Sequence, residues 1–302
     1  MSEGYNQVRD RWSTRALEWV MYAAAWVFWK LSQPFSIWSL SRLFGAIGSR
    51  LVLLIPPFRK RVEDNLDLVL PDMTQDARRS LVRETTRNFI HLAIEYAHLD
   101  HFIRSMEIKT EGMEHILATR DAGKGAIVVT AHFGNWEAIR VASKREGHEI
   151  GIIYRAFNNR YLDAFTMKMI PDAGAPVLQK GSGLRQLLHH VRKGGLMMIL
   201  VDQRNSGAPF IDFMGQPAET VTAAAEMAAK IGVPLIPARA VRDTANRRFD
   251  VQFETPVEGT DPVAMMTEVN SRISAWVTEY PAQWFWFHRR WKSNNRSPSR
   301  EP

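Results

Sequence analysis

GAIVVTAHFGNWE, residues 125–137, changes its period half-way along. Ala126-Ile127-Val128-Val129-Thr130 is a short apolar run rich in β-branched residues, the pattern of a strand buried on both faces. Gly134 and Asn135 then supply a turn, and Trp136 to Lys144 reads as helix. Strand, tight turn and helix in that order form the unit from which α/β sheets are built.

Downstream, the same alternation continues. A strand at 150–154, a helix at 161–170, a short strand around Val177, a helix at 183–192 and a strand at 196–201 follow in turn. A helix at 221–231 leads into Pro234-Leu235-Ile236-Pro237. Phe249, Val251 and Phe253 then alternate with Asp250, Gln252 and Glu254, which predicts a half-exposed strand in a hairpin. A last helix is expected from about Pro262 to Tyr280. Upstream, residues 74–104 read as one helix. The expected fold is therefore α/β: a mixed, mostly parallel sheet flanked by helices.

Ligands of such sheets bind beyond the carboxyl ends of the strands. Three polar groups fall there: His132, Arg155, and Asp202 with Gln203. His132 is the candidate general base, since a neutral imidazole can take a proton from an attacking hydroxyl. It needs a carboxylate to hold its tautomer. Glu137, five positions on, is the candidate if the turn bends the two together. Backbone N–H groups at the helix start are candidate oxyanion donors.

The N-terminus carries a different signal. Trp12, Trp19, Trp26, Trp29 and Trp38 are five of the ten tryptophans, and tryptophan favours the membrane interface. Residues 17–31 are apolar except for Glu18 and Lys30. The run is shorter than the roughly 20 residues of a spanning helix, so a short or tilted span with snorkelling ends is expected to compete with an in-plane helix. After Pro34, Ile37, Leu40, Phe44, Ile47, Leu51 and Leu54 recur at helical spacing, and Arg59, Lys60 and Arg61 follow. An amphipathic helix with a basic edge would suit anionic lipid. Residues 1–58 are thus expected to form a membrane-anchoring segment, 59–292 the catalytic domain and 293–302 a flexible tail.

The chain has no cysteine, which excludes disulfides, thiolate metal sites and a cysteine nucleophile. The net charge of +7 favours anionic partners. No nucleic-acid-binding motif accompanies the basic groups. Adjacent His189 and His190 point apart, and His98 and His101 fit a helix face, so no metal is expected. Ser182 lacks the G-x-S-x-G setting of a nucleophile.

Several further motifs recur in order: RVEDNLDLVLPDM at 61–73, YRAFNN at 154–159, GSGLRQLLHHVRKGG at 181–195, DQR at 202–204, FMGQPAETVTAAAEMAAKIGVPLIP at 213–237 and PAQWFWFHRRW at 281–291. With residues 125–137 they make the chain resemble the bacterial lipid A late acyltransferases, the lauroyl/myristoyl transferase family related to glycerolipid acyltransferases. The resemblance spans nearly the whole chain. It implies a metal-independent enzyme without a cofactor. Its partners would be acyl carrier protein as donor and a lipid A precursor as acceptor, at the cytoplasmic face of the bacterial inner membrane. Carried over by position, His132 resembles the general base, Glu137 its carboxylate partner (an HX4E pattern) and Arg155 a charge stabiliser. Asn135, Asp202, Gln203, Arg204, His288 and Arg289 match positions expected in substrate binding. A lysophospholipid, an ornithine lipid or a phosphoglycolipid remains an alternative acceptor. A non-catalytic membrane-binding protein is the alternative of another class.

Overall fold

A computed structural model describes residues 12–291, apart from 180 and 182. The expected tail at 293–302 and the reading of Ser182 lie outside the described residues.

The chain opens with helices α1 (Trp12–Ser32), α2 (Ile37–Leu51), α3 (Pro56–Val69), α4 (Gln75–Ala97) and α5 (Leu99–Ser105). The helix expected over 74–104 is therefore two, divided at His98. Strand β1 (Glu107–Glu111) and helix α6 (Met113–Asp121) follow. Next come β2 (Ala126–Thr130), α7 (Glu137–Arg145), β3 (Ile150–Tyr154), α8 (Arg160–Thr166), α9 (Ile170–Ala173), β4 (Val177–Gln179), α10 (Leu184–Arg192) and β5 (Leu196–Leu200). The chain continues through the hairpin β6 (Phe210–Phe213) and β7 (Gln216–Glu219), then α11 (Ala223–Ile231), β8 (Leu235–Asp243), β9 (Arg248–Phe253) and α12 (Pro262–Glu279).

Seven strands form one sheet in the order β1-β9-β8-β2-β5-β3-β4. Only β8 and β9 pair antiparallel; the other neighbours are parallel. The α/β reading holds. β2 lies at the centre with all five residues buried. Ile127 and Val129 join one core, while Ala126 and Val128 join the core on the opposite face. This is the period-2 division that two helix layers impose. The sequence reading missed β1, whose alternating Glu107, Lys109 and Glu111 carry no apolar face, and the short β6–β7 hairpin.

α2 packs along α4 with an inverted face. Its buried positions include Ser41, Gly45 and Ser49 beside Ile37 and Leu40. The larger Leu43, Phe44, Ile47 and Leu51 are exposed, as is Leu54 just beyond. The single face expected from Ile37 to Leu54 is thus divided between protein and surroundings. Close approach is the reason: a Cβ at Gly48 would lie 2.2 Å from Ile90 Cδ1 of α4. Small residues spaced by four let two helices meet this closely. Among the described residues, Ile37–Leu54 is the one helical stretch long and apolar enough to cross a membrane, by length and composition.

α1 also presents a large exposed apolar surface, including Trp12, Trp19 and Trp26. Glu18, expected to snorkel, is instead buried against α8: its carboxylate pairs with Arg160 at 3.1 Å. Asn159 donates to the Glu18 carbonyl at 2.8 Å.

Candidate active site

The β2–α7 turn is pinned from several sides. Phe285 N–H donates to the His132 carbonyl, and Gly134 N–H to that of Gln283, each at 2.9 Å. Gly134 has φ +56°, and a Cβ there would lie 1.8 Å from the Ala240 carbonyl oxygen. Only glycine fits this turn. Asn135 is fully buried: its amide donates to Glu95 at 3.0 Å and its oxygen accepts from Glu137 N–H at 3.0 Å. Glu95 in turn holds a bidentate pair with Arg242 of β8, at 2.6 Å on each arm. Asn135, expected in substrate binding, is therefore a staple of the loop with its side chain committed to the protein interior.

β2 and β5 are parallel neighbours, with Ala126 opposite Leu196 and Thr130 opposite Leu200. The same offset sets His132 beside Asp202, one just past each strand end. His132 Nδ1 meets Asp202 Oδ1 at 2.8 Å. Asp202 Oδ2 accepts the His132 backbone N–H at 3.0 Å and Trp284 Nε1–H at 2.9 Å. Asp202 is fully buried. Burial alone would raise its carboxyl, but the neighbouring His132 ring, supported by His288 and Trp284, holds it well below the usual carboxylate range. An ionised Asp202 keeps the proton on Nδ1 of His132 and leaves Nε2 as the acceptor.

The carboxylate that orients His132 is thus Asp202, not Glu137. Glu137 is 1% exposed and opens α7. It accepts from Tyr96 Oη at 2.8 Å and is ion-paired with Arg140. Arg140 extends the clamp to the carbonyls of Ile150, Ile170 and Gly174, tying α7 to β3 and α9. Two of the helix-start donors are in use: Glu137 N–H binds Asn135 Oδ1, and Ala138 N–H binds the Asn135 carbonyl, each at 3.0 Å. These two are not free for an oxyanion.

Gln203 bridges the two imidazoles, its Nε2 lying 3.2 Å from Nε2 of both His132 and His288. The two rings meet edge to face at 4.7 Å. Burial, with the nearby His132 and Arg290, lowers His288 to about 4 despite the opposing pull of Asp202. His288 is therefore neutral near pH 7. His132, Asp202 and His288 present ligand atoms within 4.8 Å of one another. Both Asp202 oxygens already accept hydrogen bonds, however, and one of them holds His132 Nδ1–H. The donor set fits an acid–base pair better than a metal centre.

The remaining expected residues divide. Arg155 is exposed beyond β3 and makes no hydrogen bond or ion pair with His132 or Asp202. Arg204 is drawn to Glu219 at 2.5 Å and to Ser206 at 3.2 Å. Arg289 is exposed, whereas its neighbour Arg290 is buried on the Glu219 carbonyl and Thr220 Oγ1, each at 2.6 Å. Sequence reasoning missed Trp284, Trp136 and Tyr96. The first lay unremarked within the quoted PAQWFWFHRRW motif.

Two apolar features flank His132. Trp136 packs edge-on against its ring at 5.1 Å, and Tyr96 against Trp136 at 6.1 Å. Tyr96 also lines a cavity of about 360 Å³ with Trp26 and Trp29 of α1, Phe44 of α2, and Phe165 and Met169 from the α8 region. On the other side, Phe285 stands 6.3 Å from the His132 ring and leads through Phe287 to exposed Phe58 and Phe89.

A family model, that of the bacterial lipid A biosynthesis acyltransferases, matches residues 9–293. The chain belongs to this family. The lipid A biosynthesis acyltransferase match covers the N-terminal helices as well as the sheet. The chain is also similar to a phosphatidylinositol mannoside acyltransferase of Mycolicibacterium smegmatis, 22% identical over 77% of this chain and 79% of that protein. A protein of the same name from Mycobacterium tuberculosis H37Rv is 21% identical, over 62% of this chain and 61% of that protein. As a member of this family, the protein is an acyltransferase.

Proposed function

We propose that the protein transfers a fatty acyl chain from a thioester donor to a hydroxyl of a membrane lipid, with His132 as general base and Asp202 as its orienting carboxylate. The observation that carries this reading is the His132–Asp202 pair, set between an apolar cavity and an exposed apolar surface. His132 Nε2 takes the acceptor's O–H proton while that oxygen attacks the thioester carbonyl carbon. The C–S bond breaks, and the thiolate leaves as a thiol with the proton from Nε2. Asp202 offsets the imidazolium that forms between these steps. The acceptor displaces Gln203 from His132, freeing that amide to donate to the carbonyl oxygen. Arg155, exposed and without a hydrogen-bond or ion-pair partner among the described residues, is assigned to charge on the donor or the developing intermediate.

The acyl chain is assigned to the cavity lined by Trp26, Phe44, Tyr96 and Phe165, which is mostly apolar in its lining residues. The donor is assigned as acyl carrier protein, and the acceptor as a lipid A precursor, met at the cytoplasmic face of the inner membrane. The named mycobacterial relatives favour a second acceptor, a mannosylated phosphoglycolipid. An in-vitro assay with acyl carrier protein and coenzyme A thioesters against both acceptors tests the reading. His132→Ala is expected to abolish transfer in a folded protein. Near-normal turnover by that variant would sink the mechanism.

A further inference from the structure

A second cavity, of about 380 Å³, opens beside the site and is lined by Lys60, Arg61, Asp64, Asn65, Arg289 and Trp291 among others. Three cations from two distant parts of the chain face it, against one carboxylate. None of Lys60, Arg61 and Arg289 has a hydrogen bond or ion-pair partner among the described residues. This differs from other basic side chains nearby: Arg59 pairs with Glu63, and Arg290 is buried on Thr220. Arg61 is half-exposed on the cavity wall.

The cavity is fastened to the backbone beside His288. Asn65 of α3 donates from one amide nitrogen to the carbonyls of Trp286 and His288, both at 2.7 Å. Arg289 follows His288 directly. The wall also continues into the exposed apolar surface: Phe58 lies one turn before Arg61 and packs on Phe287 at 6.1 Å. Leu51, Leu54 and Ile55 are exposed just ahead of it. Unpaired cations bordering an apolar surface match a ligand that is anionic at its head and apolar in its body.

We infer that Lys60, Arg61 and Arg289 form a binding site for the phosphate of a lipid headgroup, placed so that a hydroxyl of the same lipid reaches His132. The assignment deepens the acyl-transfer reading and rests on it for the hydroxyl. Arginine forks suit phosphate oxygens, and lysine adds a point charge. Asp64 disfavours a second anionic group in the same cavity.

The test is sedimentation of the full chain with phosphatidylcholine vesicles, with and without phosphatidate. Arg61→Ala/Arg289→Ala is expected to weaken binding to phosphatidate vesicles roughly 100-fold and leave the weaker binding to pure phosphatidylcholine unchanged. Lys193→Ala, at the opposite ends of the strands, should cost at most about fivefold. Equal loss on both vesicle types, no loss on either, or a Lys193→Ala loss as large as that of the double variant overturns the proposal. So does tight binding of inorganic phosphate alone, which would mark a site for a soluble anion. In turnover, the double variant should raise KM for a phosphorylated acceptor and not for the donor. A raised donor KM with an unchanged acceptor KM would give the cavity to the carrier protein. Vesicle binding needs no chemistry, so His132→Ala should bind phosphatidate vesicles as the parent does. Loss of the catalytic reading would leave that measurement standing.

Discussion

His132 and Asp202 stand 70 positions apart and meet because two parallel strands are in register. Removing only the charge of Asp202 should therefore act through the imidazole. Asp202→Asn is expected to lower kcat roughly 10³–10⁴-fold with the fold retained, because the amide no longer enforces the Nδ1–H tautomer. Glu137 predicts the opposite. Glu137→Ala leaves the Arg140 guanidinium buried without its partner, at a cost of about 3–5 kcal/mol. Its main effect should be a lower melting temperature, while the pH profile of the remaining activity is preserved. An inactive Glu137→Ala protein with unchanged melting would return Glu137 to the catalytic pair. Acid should unfold the protein through its buried histidines. His288 is lowered to about 4, and His91 to about 3 by burial and by Arg242 and Arg87. Unfolded, both rings titrate near their ordinary 6.5. Below that pH the unfolded chain takes up protons that the folded chain refuses, so stability present above pH 6.5 is lost as pH falls toward 3–4. His91→Leu should flatten this slope in melting curves recorded across that range.

Helix α2 follows a rule opposite to that of an ordinary surface helix. Beyond Leu40 its buried positions are small residues, and its large apolar residues Leu43, Phe44, Ile47 and Leu51 are exposed. Gly48→Leu would drive a side chain into Ile90 and should separate the two helices, lowering the melting temperature by several degrees for roughly 1–3 kcal/mol of overpacking. Ile47→Lys/Leu54→Lys leaves that contact intact but removes apolar area from the exposed side. Each residue is worth about 1.5–3 kcal/mol when fully buried. The double variant should lose binding to phosphatidylcholine vesicles by at least about tenfold, with unchanged melting. Retained binding would show that this face does not enter lipid. The turn after β2 is an element of the same kind, legible in outline but not in its contacts. Gly134 and Asn135 were readable as a turn. That Asn135 faces inward, on Glu95, which Arg242 holds in place, depends on α4 and β8 arriving from elsewhere in the chain.

Across the molecule, ring contacts lead from His132 through Phe285 and Phe287 to exposed Phe58 and Phe89, and through Trp136 and Tyr96 to the apolar cavity of Trp26 and Phe44, while Asn65 ties the cavity of Lys60, Arg61 and Arg289 to the His288 backbone. Such an arrangement suits the proposed acylation of a lipid whose body is apolar and whose headgroup is anionic. The amino-acid sequence by itself determined the parallel sheet, the place of His132 at its mouth and the apolar character of the N-terminus. Those properties follow from local period and composition, since a strand buried on both faces must be apolar throughout and a turn must supply its own glycine. Only the tertiary structure decided which carboxylate holds His132, which way α2 faces and which cations share a cavity. A side chain's partner is set by strand register and helix docking, and those bring together groups whose spacing along the chain carries no trace of their meeting.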